Sequence, residues 1–179
     1  MSPDETASAG LIDRLALGLA LFGGAVLLAL VGLSALSILG RSLAGLPFLA
    51  GLGLGPVPGD FELVEVGTAV AVSSFLPICE RRGGHLAVEI VTLKAGPRLT
   101  ALIVLVSRLL MALAAAVLGT MLAEGMVERF STGESTMILA LPSWVGYALS
   151  LPGIALFSVA AAAGALAAGR DLLAPGARP

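Results

Sequence analysis

Four long apolar stretches, separated by polar connections, fill most of this 179-residue chain. They run over residues 15–39, 62–79, 99–126 and 139–168. A helix that crosses a bilayer needs about 20 predominantly apolar residues, so the first, third and fourth stretches are long enough and the second is at the short limit. The pattern therefore predicts an all-α integral membrane protein, in which four transmembrane helices form a single membrane domain over residues 1–179.

The distribution of lysine and arginine predicts which side of the membrane each connection occupies. Seven of the ten basic residues lie in the two terminal segments and in the connection between the second and third stretches: Arg14, Arg81, Arg82, Lys94, Arg98, Arg170 and Arg178. The other two connections hold only Arg41 and Arg129. Because short loops rich in lysine and arginine stay in the cytoplasm, both termini and the 80–98 connection are predicted to be cytoplasmic.

Composition and charge exclude several classes of protein. Hydrophobic residues make up 58% of the chain and charged residues 12%, which is typical of a membrane protein. The single cysteine, Cys79, allows no internal disulfide, and with the single histidine, His85, it falls short of a metal-binding set. The formal net charge of −2 does not indicate the basic surface that binds nucleic acid. No cofactor, metal or nucleic-acid partner is therefore predicted.

The second stretch begins with acidic residues. Asp60 follows Pro58 and Gly59 and is predicted to be the N-cap of the second helix, where its carboxylate and that of Glu62 would accept hydrogen bonds from free N–H groups. Glu62 and Glu65 are three residues apart and therefore share one helix face. These acids are interpreted as capping or partner-contact residues, and cation binding is the alternative.

The connection over residues 81–98 carries the most informative polar pattern. Leu86, Ile90 and Leu93 recur at helical spacing, which predicts an amphipathic helix lying in the membrane interface between the second and third spans. Arg81 and Arg82 precede this helix. Their guanidinium groups are suited to bind lipid phosphate or to form a bridge to a partner subunit.

Two further polar residues of this connection are candidates for contact with a partner subunit or with lipid. His85 is predicted to be a structural hydrogen-bonding residue, with pH sensing or catalysis as the alternative. Glu89 is predicted to pair with a nearby base or to cap a helix. The full set of residues predicted to contact a partner or lipid is Glu62, Glu65, Arg81, Arg82, His85, Glu89 and Arg108.

Arg108 lies inside the third apolar stretch, where a guanidinium costs about 2.5–3.5 kcal/mol on insertion scales. Two arrangements relieve this cost. The span could run from Leu109 to Met126, so that Arg108 reaches lipid phosphate at the inner interface. Alternatively, Arg108 could face protein and meet an acid in this chain or in a partner. The length of Leu109–Met126 favours the first arrangement.

Small residues repeat every four positions in the third and fourth stretches. Such residues let helix backbones approach closely, which predicts tight packing within the chain or against a partner. The residues are Ala115, Gly119 and Ala123 in the third stretch and Ala160, Gly164 and Ala168 in the fourth.

The segment 81–89, RRGGHLAVE, resembles the R-x-G-x-H-hydrophobic-x-V-D/E signature of the small permease subunit, or Q component, of tripartite ATP-independent periplasmic (TRAP) transporters. Residues 59–65, 97–98 and 141–147 are similar to that family's start of helix two, its turn into helix three and its start of helix four. The chain departs from the family where many members have a Trp-Glu-Glu cluster before helix two. It also has Glu89 where aspartate is commoner.

The resemblance implies a small, non-catalytic membrane subunit of a bacterial inner-membrane transport system. In such a system a periplasmic binding protein captures an organic anion, and a large multi-span permease subunit moves it with a sodium gradient. The small subunit scaffolds the large one among the membrane lipids. One alternative is the four-span small subunit of a tripartite tricarboxylate transporter. An intramembrane enzyme is a further alternative, but the only histidine, His85, lies in a connection, away from serines such as Ser73 and Ser107.

Overall fold

The computed structural model describes residues 3–44, 55–82 and 97–173, and four helices account for most of them. The helices are α1 (Pro3–Ala44), α2 (Asp60–Arg81), α3 (Pro97–Thr132) and α4 (Trp144–Leu173). Each contains a segment that is long and apolar enough to cross a membrane: Gly10–Ala44, Asp60–Arg81, Leu102–Thr132 and Trp144–Arg170. The prediction of an all-α protein with four transmembrane helices is confirmed.

The helices begin and end at different residues from the apolar stretches that predicted them. α2 has 22 residues, so the stretch that is short by composition gains length from the polar residues at its two ends. α4 begins at Trp144, five residues later than its apolar stretch, because the chain first forms a tight hairpin. In this hairpin, residues 133–143, the Thr136 N–H donates to the Leu141 carbonyl at 2.9 Å. The predicted interfacial helix over residues 86–95 lies outside the described residues.

Side-chain contacts show which helix ends lie together. Asp13 of α1 bonds Arg81 at the end of α2, whereas Ser37 of α1 bonds Asp60 at the start of α2. Glu62 of α2 bonds the hairpin between α3 and α4. The four helices are therefore antiparallel to their neighbours in sequence. We call the two ends of the bundle the Asp60 end and the Arg81 end.

The helices do not pack in chain order. α1 packs against α2, α2 packs against α4, and α4 packs against α3. α2 and α4 therefore occupy the middle of the bundle and are its more buried helices, while α1 and α3 flank them. The flanking helices expose large apolar side chains such as Leu21, Leu28 and Leu113, which in a bilayer would contact lipid or a partner.

The core is built largely from small side chains. Ala115 of α3 and Ala161 of α4 are fully buried around Phe157, the large side chain at the centre of the cluster. Gly119 faces Ile154 of α4, since a Cβ added at Gly119 would be in ordinary van der Waals contact, 3.5 Å from the Ile154 Cγ2 atom. Ala115 of α3 and Ala160 of α4, which are buried, thus serve close packing inside the chain, in agreement with one of the two readings of the spacing.

α2 and α4 approach most closely where Gly153 meets Ser73. Pro77 has no N–H, so it cannot donate the usual helical hydrogen bond to the Ser73 carbonyl four residues earlier. Gly153 of α4 lies against this carbonyl: a Cβ at Gly153 would collide with the Ser73 oxygen and stand 3.0 Å from the Ser74 nitrogen. The absence of a side chain at Gly153 allows two backbones to touch.

Candidate functional site

The start of α2 is held by α1 through a short hydrogen-bond chain. Ser37, which is buried, donates its hydroxyl proton to the Asp60 carboxylate at 2.5 Å and accepts from the Val57 N–H at 3.2 Å. The N-cap of α2 is Gly59, with a left-handed φ of 75°, and the Asp60 Oδ1 atom accepts a hydrogen bond from the Phe61 N–H of the first turn at 2.9 Å. The prediction of Asp60 as the N-cap was therefore wrong by one residue, because Gly59 adopts the left-handed turn and Asp60 becomes the first helical residue.

Glu62 binds the hairpin between α3 and α4. Its two carboxylate oxygens accept hydrogen bonds from the backbone N–H groups of Ile138 and Leu139, at 2.8 and 3.0 Å. Leu139 also lies over Gly59, where any added Cβ would collide with its side chain. Glu62 therefore satisfies N–H groups, as predicted for a capping acid, but those of the hairpin instead of those of its own helix.

A cavity of about 460 Å³ opens at the Asp60 end between α2, α3 and α4. Glu65 and Arg129 line it, together with Tyr147 and Ser150 of α4. Arg129 also forms an ion pair with Glu134 in the hairpin. Glu62 and Glu65 share a helix face as predicted, but the hairpin engages only Glu62.

At the opposite end, Arg81 ties α2 to α1. Its Nε and Nη2 atoms donate to the two carboxylate oxygens of Asp13, at 2.5 and 3.0 Å, in a bidentate pair. Arg82 is exposed at the end of the same helix. His85 and Glu89 lie outside the described residues. Contact of any of these residues with lipid or with a partner subunit stays a prediction.

Arg108 faces protein and meets an acid of this chain. Its Nη1 atom lies 3.5 Å from the Oε1 atom of Glu80, whose side chain is only 3% exposed. Gly164 of α4 makes room for the guanidinium, since a Cβ there would collide with Nη1. The preference for a lipid-seeking Arg108 was wrong: Glu80, the first residue beyond the predicted end of the second span, lies close enough to offset the arginine charge.

A second cavity, of about 430 Å³, adjoins this ion pair. Its walls come mainly from small residues of α4, among them Ala160, Gly164 and Ala168. The stripe predicted from sequence therefore has two uses in the chain. Ala160 is buried in the bundle, and Gly164 leaves space for Arg108.

Three residues that the sequence did not single out anchor these contacts: Asp13, Ser37 and Glu80. Asp13 and Glu80 lie at the edges of apolar stretches, where acids are commonly solvated. Ser37 resembles the other serines of the spans. Arg108 itself could have indicated Glu80, because an arginine inside a span is commonly paired with an acid at a similar depth on another helix.

The described part of the chain shows neither a metal-binding cluster nor an activated nucleophile. It contains no group of three or more histidine, cysteine, aspartate or glutamate residues that could hold a metal ion. The hydroxyls of Ser73 and Ser74 donate to the Val70 carbonyl at 2.8 and 2.7 Å, the usual bond of serine in an apolar helix. Among the described residues, the ion pairs Arg81–Asp13 and Arg108–Glu80 each join two helices.

These features define the class: a small multi-pass helical membrane protein in which the buried Ser37 and Glu80 side chains join helices. The family model for "Tripartite ATP-independent periplasmic transporters, DctQ component" matches residues 31–170, and the chain belongs to this family. No curated protein and no solved structure matches the chain.

Family membership confirms the resemblance carried by residues 81–89 and gives the chain its general role. It is a small membrane component of a TRAP transporter, and this family is one of transporter components, not of enzymes. Membership implies partnership with a large permease component and a substrate-binding protein. The alternative of a tricarboxylate-system subunit has no support from this match.

Proposed function

We propose that the chain is a non-catalytic scaffold for the large permease subunit in sodium-driven uptake of organic anions. The main support for this proposal is that three charged residues of the chain bind other parts of the chain itself. Glu62, Arg81 and Arg108 each bind another part of the same chain, so they fix the helices relative to one another. A subunit in which these three charged residues hold its own helices together is suited to hold a mobile partner in place.

The surfaces of α1 and α3 support the same proposal. They flank the bundle and expose apolar side chains such as Leu28 and Leu110. In a membrane these surfaces are available to lipid or to another membrane subunit. We therefore place the scaffold contact with the large permease on one of these flanks.

Transport assays on defined components test the proposal. The chain reconstituted alone in liposomes should take up no organic anion when a sodium gradient is imposed. Liposomes that also hold the large permease should accumulate the anion once the binding protein is added outside. The substrate is found first, by screening the purified binding protein against organic acids. Sodium-dependent uptake by the isolated chain would contradict a scaffold role.

We also propose that the chain lies in the bacterial inner membrane with both termini and the Arg81 end in the cytoplasm. The proposal rests on the excess of arginine and lysine at that end. In a Cys79→Ser background, Met137→Cys should react with a membrane-impermeant maleimide added to intact spheroplasts, because Met137 is fully exposed at the hairpin tip.

Arg82→Cys is the matched position at the other end, since Arg82 is exposed just after α2. It should react only after the membrane is permeabilised. The reverse pattern, with Arg82→Cys labelled from outside and Met137→Cys protected, would show that the orientation is inverted.

A further inference from the structure

The cavity at the Asp60 end contains two polar groups that lack a protein partner within the described residues. Ser150 is 4% exposed, and its hydroxyl makes no hydrogen bond there. Glu65, which lines the same cavity from α2, is exposed and makes neither a hydrogen bond nor an ion pair with a described residue. A buried hydroxyl without a partner costs about 1–3 kcal/mol, so a polar atom placed beside Ser150, at the wall of the cavity, would relieve this cost.

The lining of the cavity indicates the chemistry of that occupant. Glu65 offers a negative charge that no described residue pairs, and Arg129, whose Nη1 atom pairs with Glu134, has further guanidinium N–H donors, so a ligand with both an ammonium and an anionic group would be complemented. Between them, Val66, Ala69 and Leu122 form apolar walls. The volume of about 460 Å³ is too large for one side chain and falls in the range of small-ligand sites.

The position of the cavity in the bundle indicates the source of the ligand. Its residues lie in the first turns of α2 and α4 and in the last turns of α3, where membrane-crossing helices reach the lipid headgroups. Tyr147, an aromatic residue with a polar tip, lines the cavity and is typical of this level of the membrane.

We propose that this cavity binds the headgroup of a zwitterionic phospholipid that carries a primary ammonium, as in phosphatidylethanolamine. Glu65 binds the ammonium and Arg129 binds the phosphate. The Ser150 hydroxyl donates to a phosphate or ester oxygen, and the apolar walls accommodate the glycerol and the start of the acyl chains.

Native mass spectrometry of the full chain tests this site. The delipidated protein is incubated with equal amounts of phosphatidylethanolamine, phosphatidylcholine and phosphatidylglycerol. The unmodified chain should retain phosphatidylethanolamine preferentially. Glu65→Gln should lower this retention about fivefold, the amount expected for one partly exposed charge pair. Glu124→Gln, an exposed acid of α3 outside the cavity, should leave retention unchanged.

Ser150→Val tests the buried hydroxyl, and Ser34→Val on α1 is its control. Ser150→Val should reduce retention, while Ser34→Val should not. Circular dichroism checks that each variant keeps its helices, and Ser150→Ala replaces Ser150→Val if the larger residue prevents folding. Equal retention of the three lipids by the unmodified chain, or equal behaviour of Glu65→Gln and Glu124→Gln, would overturn the proposal.

Competition with soluble glycerophosphoethanolamine distinguishes a lipid from a free zwitterion. Millimolar amounts should not displace the bound phospholipid, because the soluble compound lacks the acyl chains that also contact protein. Displacement would assign the cavity to a small soluble zwitterion and would refute the lipid assignment.

Discussion

Gly153→Ala is expected to destabilise the protein by about 1–3 kcal/mol, although alanine is the better helix former. The new Cβ would meet the Ser73 carbonyl carbon at 2.5 Å and the Ser74 nitrogen at 3.0 Å. These are backbone atoms of α2, which cannot turn away as a side chain can. α2 and α4 must therefore separate at the middle of the bundle, and the apparent Tm should fall by roughly 2–4 °C for each kcal/mol.

Gly32→Ala is the matched control for this prediction. Gly32 also lies inside a membrane-crossing helix, α1, and a Cβ there would meet nothing within 4 Å. It should leave the apparent Tm unchanged or raise it, since alanine gains roughly 0.5–1 kcal/mol over glycine in a helix. Fluorescence-detected size-exclusion chromatography after heating measures both variants. Similar melting of the two variants would show that α2 and α4 do not touch through their backbones at Gly153.

Removal of the Arg108 charge is also expected to lower the stability of the protein substantially. Loss of one partner from a fully buried ion pair costs about 3–5 kcal/mol, because the other charge stays buried. Glu80 is 3% exposed but Arg108 is 39% exposed, so solvent and lipid headgroups compensate part of this loss. We expect Arg108→Gln to destabilise the protein by roughly 1–3 kcal/mol.

A double-mutant cycle isolates this ion pair from the other contacts that Glu80 makes. The variant with both Arg108→Gln and Glu80→Gln should be more stable than the sum of the single changes implies, because no uncompensated charge remains. Arg129→Gln serves as the control, since Arg129 and Glu134 form an ion pair whose side chains are 41% and 49% exposed. It should cost at most about 1 kcal/mol. Strictly additive effects of the Glu80 and Arg108 changes would argue against a direct pair.

The membrane spans of this chain could be predicted because length alone decides them. The four spans follow from runs of apolar residues, because an apolar segment of about 20 residues has few alternatives to a helix across the bilayer. Residues 81–89 carried enough of a signature to indicate the family that the match over residues 31–170 confirms. Glu62 was recognised as a residue that satisfies free N–H groups, although the hairpin that supplies them was not foreseen.

The error at Arg108 has a specific cause. Its predicted lipid contact followed from the position of Arg108 along one helix. The ion pair depends on where α2 ends relative to α3, which brings Glu80 alongside it. Asp13 was missed for the same reason: it becomes a partner only because α1 extends past the apolar stretch and reaches Arg81.

The sequence by itself determined the number of spans, their approximate positions and the family. The tertiary structure alone decided that α2 and α4 lie in the middle, that Gly153 touches Ser73 and that Glu80 meets Arg108. The physical reason is that a membrane-crossing helix is apolar on every side. Its pattern therefore shows that it crosses the membrane, but not which face packs against another helix and which faces lipid.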